Sequence, residues 1–115
     1  AIYESVYGRQ HADTAMAMKN IANVMNDLGQ NKKALDLYIE ALEIYESVYG
    51  RNHASTAGTM YNIARTLYDL DYKEESLGFL KEALSVFETI FGSEDQQKVR
   101  HAIAFITEEL GNNEL

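Results

Sequence analysis

Apolar residues recur along this chain at steps of three and four, the spacing that places them on one face of an α-helix. The apolar face is broad between Asn31 and Tyr49, where charged residues fill the rest of the surface. The pattern returns between Tyr72 and Phe91, a shorter stretch precedes each long one, and the chain contains no proline. We predict the end of one helix at residues 1–8, followed by five helices at 12–28, 31–49, 54–70, 73–91 and 94–110.

The pattern repeats itself every 42 residues. The run from Ile2 to Ala12 returns from Ile44 to Ala54 with one difference, and a weaker third copy starts at Val86. A fixed period of this length is typical of solenoids, in which each helix pair covers its apolar face by stacking on the next. We therefore predict an all-α array of antiparallel helix pairs within residues 1–115, which looks like a piece of a longer array. Its parts are a first repeat at 12–50, a second at 54–92, and the first helix of a third at 94–110.

Residues with special backbone preferences mark the predicted helix ends. Glycine adopts a left-handed backbone without steric cost, and aspartate tolerates it better than most residues. We expect this conformation at Gly29 and, one repeat later, at Asp71. Similar reasoning places helix ends at Gly8, Gly50 and Gly92, N-caps at Asp13 and Ser55, and a capping box at Ser93 and Gln96.

Composition and charge narrow the classes of function. The 115 residues suffice for one domain, and 46% hydrophobic residues is an ordinary globular value. A formal net charge of -8 argues against duplex nucleic acid or an anionic membrane as the main partner. No run approaches the roughly 20 apolar residues of a membrane span. The absence of cysteine fits a reducing compartment, so we expect a cytoplasmic protein.

The sequence does not indicate an enzyme or a metal site. His11 and His53 occupy equivalent turns one repeat apart, whereas zinc needs ligands that converge to about 2.3 Å from one ion. We interpret both as turn histidines that bond to the backbone. Adjacent carboxylates such as Glu74 and Glu75 point in different directions on a helix. No phosphate-binding loop or catalytic signature is present, so we predict neither catalytic residues nor a cofactor.

The order of small and large side chains in both repeats, with a turn glycine in the first, resembles that of the tetratricopeptide repeat. The first repeat matches at Ile21-Ala22, Met25, Gly29, Ala34, Tyr38 and Ala41, and the second at Ile63-Ala64, Leu67, Ser76, Leu80 and Ala83. That repeat is usually about 34 residues long. The 42-residue spacing, the segment 41–46 and the Gly-x-x-His turn resemble its longer, kinesin light chain-like subclass. Ala12 and Ala54 stand where that subclass usually has proline, and the third repeat is two residues short. The resemblance implies a right-handed superhelix.

The resemblance also implies a binding surface, because the first helix of each pair lines the concave face on which ligand peptides lie. Asparagine side chains there can bond to an extended peptide backbone, and lysine and arginine would favour acidic residues. Tyr61, Tyr68 and Phe105 would contact apolar side chains. Met16, Gly58 and Glu108 also fall on this face. The predicted peptide-binding residues are Lys19, Asn20, Asn23, Asn26, Tyr61, Asn62, Arg65, Lys98 and His101.

A structural explanation remains open for the polar residues of this surface. In this explanation, Asn20 and Asn62, which are equivalent in the repeat, each cap a neighbouring turn and do not bind a peptide. Lys19, Arg65 and Lys98 are then solvated charges that pair with Asp27, Asp69 or Glu109.

Three functions follow from this interpretation. The first is a scaffold or adaptor module that binds a partner peptide of acidic character, with a kinesin light chain-like cargo adaptor as its most specific form. The second is a structural array that associates with itself through its exposed ends. The third is a chaperone co-factor that holds a C-terminal carboxylate. Lys19, Asn23, Asn62 and Lys98 resemble four positions of the carboxylate clamp in that class, and the fifth, normally basic, is Ala102.

Overall fold

The part of the chain that the structure describes forms a row of five α-helices. The computed structural model describes the backbone of residues 2–94 and 96–114, and the side chains of residues 11–94 and 96–111. The described residues contain no strand, and the molecule measures 57 × 33 × 18 Å. Most contacts between helices join consecutive ones, as expected for stacked pairs. The helices are α1 (Ile2–Asp27), α2 (Asn31–Tyr49), α3 (Ala54–Asp69), α4 (Lys73–Phe91) and α5 (Gln97–Glu114).

The predicted bounds of α2 and α4 are confirmed, and α3 ends one residue earlier than expected. The last helix begins at Gln97 rather than at residue 94, and it continues to Glu114 rather than to residue 110. The segment after Gly92 therefore takes three more residues than expected. Gln96, whose carbonyl accepts from the Arg100 amide, opens α5, and its side chain donates to the Gly92 carbonyl over 3.5 Å.

The first helix differs from the sequence prediction, because α1 continues through Gly8 where a turn was expected. The separate helix end at residues 1–8 is therefore absent, and Asp13 lies inside the helix rather than at its N-cap. At the equivalent place in the next repeat, Gly50 adopts φ +79° and ψ 177°, a region essentially restricted to glycine. Nearly identical sequences thus follow two backbone paths. A continuous helix gains one hydrogen bond per residue, so the turn forms where other contacts replace those bonds.

Those contacts are visible at the second turn. His53 is the N-cap of α3, and its Nδ1 accepts from the Ser55 amide at 3.0 Å, so the expectation of a Ser55 cap was wrong by two residues. The Thr56 hydroxyl donates to the Gly50 carbonyl at 2.9 Å. The Tyr49 ring stacks on the His53 ring at 4.0 Å. The interpretation of His53 as a turn histidine that bonds to the backbone is confirmed. The interpretation of His11 as a turn residue was wrong, because His11 lies within α1.

The left-handed residues of the helix hairpins are also confirmed. Gly29 and Asp71, at equivalent positions, have φ values of +80° and +70°. The amide after each turn donates back across it, from Gln30 to Met25 and from Tyr72 to Leu67, both at 2.8 Å. Each pair of helices therefore folds back on itself within a few residues.

The core runs along the row between successive helices. Its largest cluster combines residues of the first four helices: Ala22, Ala34, Tyr38, Leu42, Met60, Ile63, Leu67 and Ala83. A second cluster joins α5 to α3 and α4 through Ala64, Leu80, Val99 and Ile106. Alanine at positions 22, 34, 64 and 83 lets the helices approach closely, and every one of these four is fully buried.

The apolar face that α3 turns toward the preceding helix pair is covered, whereas its equivalent in α1 is open. Ile63 of α3 is fully buried in the main core cluster. Its equivalent in the first repeat, Ile21, is 50% exposed, and Val24 and Leu28 of α1 are 58% and 69% exposed. We call these three residues the α1 stripe. It is an apolar surface without a partner among the described residues.

Candidate functional site

One open groove collects side chains from all three first helices. It has a volume of about 470 Å³ and is lined by Lys19 of α1, by Tyr61, Asn62 and Arg65 of α3, and by Lys98 of α5. The rest of its wall consists of Ala54, Ser55, Gly58, Phe87, Gln96 and Val99. We call this the cationic groove. Five of the nine residues predicted to bind a peptide thus line a single surface.

The charges of the cationic groove are not neutralised within the described part of the chain. None of the described carboxylates forms an ion pair with Lys19, Arg65 or Lys98. Glu109, considered above as a partner, instead lies 3.6 Å from the Lys73 Nζ atom. Lys98 Nζ lies 5.4 Å from the centroid of the Tyr61 ring, a cation–π contact that leaves its charge available to a ligand.

Asn23 has a structural contact, which sequence reasoning did not anticipate. The Tyr38 hydroxyl of α2 donates to Asn23 Oδ1. Burial raises the pKa of Tyr38 above its ordinary value of 10.0, and the neighbouring Arg65 guanidinium opposes this effect. The Tyr38–Asn23 hydrogen bond joins α1 to α2, and Arg65, which lines the groove, lies close enough to influence the pKa of Tyr38. The only sequence signal for this hydrogen bond was the large residue expected at position 38, whose hydroxyl needs a partner when buried.

The remaining predicted residues lie outside the groove wall. Asn20 is exposed, and none of the described residues hydrogen-bonds to its side chain or to that of Asn62, so neither caps a turn in this part of the chain. Asn26 is half-buried, and its Oδ1 accepts no hydrogen bond from the described residues. His101 lines a separate shallow depression on the outer side of α5 with Gln97, Arg100 and Ala104.

A smaller pocket opens beside the cationic groove, between α3, α4 and α5. Its volume is about 150 Å³, and it shares Tyr61 and Arg65 with the groove. Phe105, which is 57% exposed, stands at its rim. We call it the apolar pocket. Its other lining residues are Tyr68, Ser76, Leu80, Ala102 and Ile106.

A polar contact fixes the far wall of the apolar pocket. The Tyr68 hydroxyl donates to Glu109 Oε1 at 2.6 Å, and this hydrogen bond is the main reason that the pKa of Tyr68 is raised above 10.0. Lys73 Nζ lies 5.9 Å from the centroid of the same ring. The Tyr68 and Phe105 rings meet with centroids 6.3 Å apart and planes tilted by 59°. These contacts hold α5 against α3, so the pocket has a defined shape.

Two further properties bear on function. Among the described residues, no three histidine, cysteine, aspartate or glutamate side chains are grouped so that they could hold a metal ion. No helix in the described ranges is sufficiently long and apolar to cross a membrane.

Comparison with protein families shows what the chain is similar to. The family model described as "Tetratricopeptide repeat" matches residues 13–89, more than half of the chain. The matched segment runs from α1 through α4 and includes both helix hairpins. No curated protein matches the chain at a significant level.

Proposed function

Because the chain belongs to the tetratricopeptide repeat family, whose members generally mediate protein–protein interactions, we propose that it binds an acidic peptide of a partner protein in the cationic groove. The observation that carries this proposal is the charge of the groove. Lys19, Arg65 and Lys98 line one open surface without carboxylate partners among the described residues, in a chain with a net charge of -8. A charge-assisted hydrogen bond to a peptide carboxylate would satisfy each of them.

The remaining groove residues fit an extended peptide. The Asn62 side chain has both a donor and an acceptor, which matches the backbone of a strand-like ligand. Tyr61 presents an aromatic face beside it. A scaffold or adaptor role follows from this binding mode, and a kinesin light chain-like cargo adaptor is its most specific form.

The test is selection of a random dodecapeptide library on the immobilised protein. Asp and Glu should be enriched in the peptides that bind. The double variant Lys19→Glu/Lys98→Glu should lose this enrichment and bind a selected peptide at least about tenfold more weakly, because each lost contact with an ionised group contributes about 1.5–3 kcal/mol. Arg65 is left intact because it also contacts Tyr38.

The matched control is Lys32→Glu/Lys33→Glu. This variant makes the same change in net charge at exposed positions of α2, away from the groove. Binding should be retained there. Selected peptides without acidic enrichment, or equal affinity of the two double variants for a selected peptide, would contradict the proposal that the cationic groove binds an acidic peptide.

A carboxylate clamp is a narrower form of the same proposal. It is favoured by the presence of Lys19, Asn62 and Lys98 in one groove. It is opposed by Asn23, which is engaged with Tyr38, and by Ala102, which lines the apolar pocket. An acidic peptide with a free C-terminus should bind more tightly than its C-terminal amide if the clamp operates, and equally if the acidic side chains alone are recognised.

A self-associating array is the competing function. The observation that favours it is the exposed α1 stripe. Its test is the dependence of stability and molecular mass on protein concentration.

A further inference from the structure

Two hydroxyl groups in the wall of the apolar pocket, those of Ser76 and Tyr68, already donate hydrogen bonds within the protein. The Ser76 hydroxyl donates to the Ala64 carbonyl at 2.6 Å. The Tyr68 hydroxyl donates to Glu109. The exposed surface of the pocket is almost entirely apolar. What the pocket offers a ligand is therefore apolar surface, and a polar side chain placed there would lose its hydrogen bonds to water without replacement.

The volume of the pocket sets the size of its occupant. An apolar cavity of about 150 Å³ in another protein takes up benzene, and the pocket has the same volume. A phenyl ring or a branched aliphatic group of similar size fits this space. The exposed Phe105 ring at the rim would be partly covered by such a group, which adds apolar burial to the binding energy.

The apolar pocket lies next to the cationic groove, so a side chain bound in the pocket can belong to the same peptide as the acidic residues. Arg65 and Tyr61 line both the pocket and the cationic groove, so the two surfaces are continuous. Lys98 lies over Tyr61, and Tyr68 forms the far wall of the pocket. The seven residues from Tyr61 to Tyr68 rise about 10 Å along the helix. An extended peptide covers that distance in about three residues.

We propose that the apolar pocket binds one phenylalanine- or leucine-sized side chain of the ligand, two to four residues from the acidic residues held in the cationic groove. This inference rests on the proposed function, since the groove supplies the charge that draws the peptide. It names the ligand class as a short acidic segment with a single apolar anchor.

The experiment uses two labelled peptides and fluorescence polarisation with the full chain. The probes are Gly-Asp-Glu-Asp-Ser-Phe-Ser-Gly and the reversed order Gly-Ser-Phe-Ser-Asp-Glu-Asp-Gly, both with blocked ends. In the tighter of the two, replacement of Phe by Ala should weaken binding about tenfold or more, and replacement by Leu should weaken it far less. Replacement of the three acidic residues of the peptide by asparagine and glutamine measures how much of the affinity depends on their charge, and this tests the cationic groove separately.

Protein variants locate the effect. Ala102→Leu fills the pocket from α5, so it should remove the preference for Phe over Ala in the peptide. Ala104→Leu is the matched control, because position 104 is exposed and faces the outer depression of α5. Helicity and melting temperature check that both variants fold. Phe105→Ala, at an exposed rim position, should also reduce the preference for Phe and does not depend on repacking the core.

The outcomes separate the two proposals. Equal affinity for the Phe and Ala peptides, with the dependence on acidic residues intact, overturns the apolar anchor and leaves the groove. A retained Phe preference in both Ala102→Leu and Phe105→Ala also overturns the anchor. A Phe preference without any dependence on acidic residues overturns the charge proposal instead. Failure of every probe to bind contradicts both.

Discussion

Replacing isoleucine by valine at two equivalent positions tests how the array is stacked. Ile63 of α3 is fully buried in the main core cluster, whereas Ile21 of α1 is 50% exposed. Removing a buried methylene from isoleucine typically costs about 0.5–1.5 kcal/mol of unfolding free energy. The same change at a half-exposed site should cost no more than about 0.4 kcal/mol, half the value for one buried methylene group.

Thermal and urea unfolding followed by circular dichroism measure the difference. Ile63→Val should lower the melting temperature by several degrees, because about 1 kcal/mol corresponds to about 4–8 °C in a domain near this size. Ile21→Val should stay within about 3 °C of the parent at the same scale. Both are conservative changes, so neither should prevent folding.

Equal losses at the two positions would refute the reasoning. They would mean that the α1 stripe is covered in solution, by a second copy of the chain. The melting temperature would then rise with protein concentration, because association stabilises the folded state by mass action. That result would favour the self-associating array over an isolated binding module.

Three further predictions concern the turns and the tyrosines. Asp71→Gly should raise the free energy of unfolding by about 0.5 kcal/mol, because the relief of left-handed backbone strain slightly exceeds the entropy that glycine adds to the unfolded chain. Gly29→Asp should lower the free energy of unfolding, and urea midpoints measure both changes. His53→Ala should cost about 1 kcal/mol and His53→Asn much less, since asparagine restores an N-cap acceptor; equal losses would mean that the Tyr49 stacking matters more than the cap. Burial raises the pKa of Tyr38 and Tyr45 above 10.0 in the folded protein. The folded state therefore binds these protons more tightly than the unfolded state, and the free energy of unfolding should fall as pH rises above 10. Urea midpoints measured from pH 9 to 11 should fall less steeply in Tyr38→Phe than in the parent.

The helices were predictable because their signal is repeated. Two copies of the same apolar spacing fixed the bounds of α2 and α4, and Gly29 and Asp71 marked the hairpins. The expected turn at Gly8 was wrong for a physical reason. Its sequence is almost that of the turn at Gly50, so the difference depends on packing around the turn rather than on local preference. A local pattern cannot report such packing.

The groove was predictable only as a set of positions on one helical face. The resemblance to the tetratricopeptide repeat implied that Lys19, Asn62 and Lys98 lie on the concave face of the first helices, and in the structure these three residues line one groove. Asn23 lies on the same face, yet the structure joins it to Tyr38. Its partner comes from another helix, at a distance in the sequence that the period does not encode. His101 was predicted on the same face, but in the structure it lines a separate depression.

Because contacts between helices are made mainly by chain neighbours, the array has few connections that resist bending along its length. Small rotations between successive pairs would widen or narrow the cationic groove at little cost. A peptide touching α1, α3 and α5 would add contacts between these three helices. The bound peptide would then restrict bending between the helix pairs. Its affinity would depend on the stiffness of the whole row of helices as well as on the side chains that it contacts.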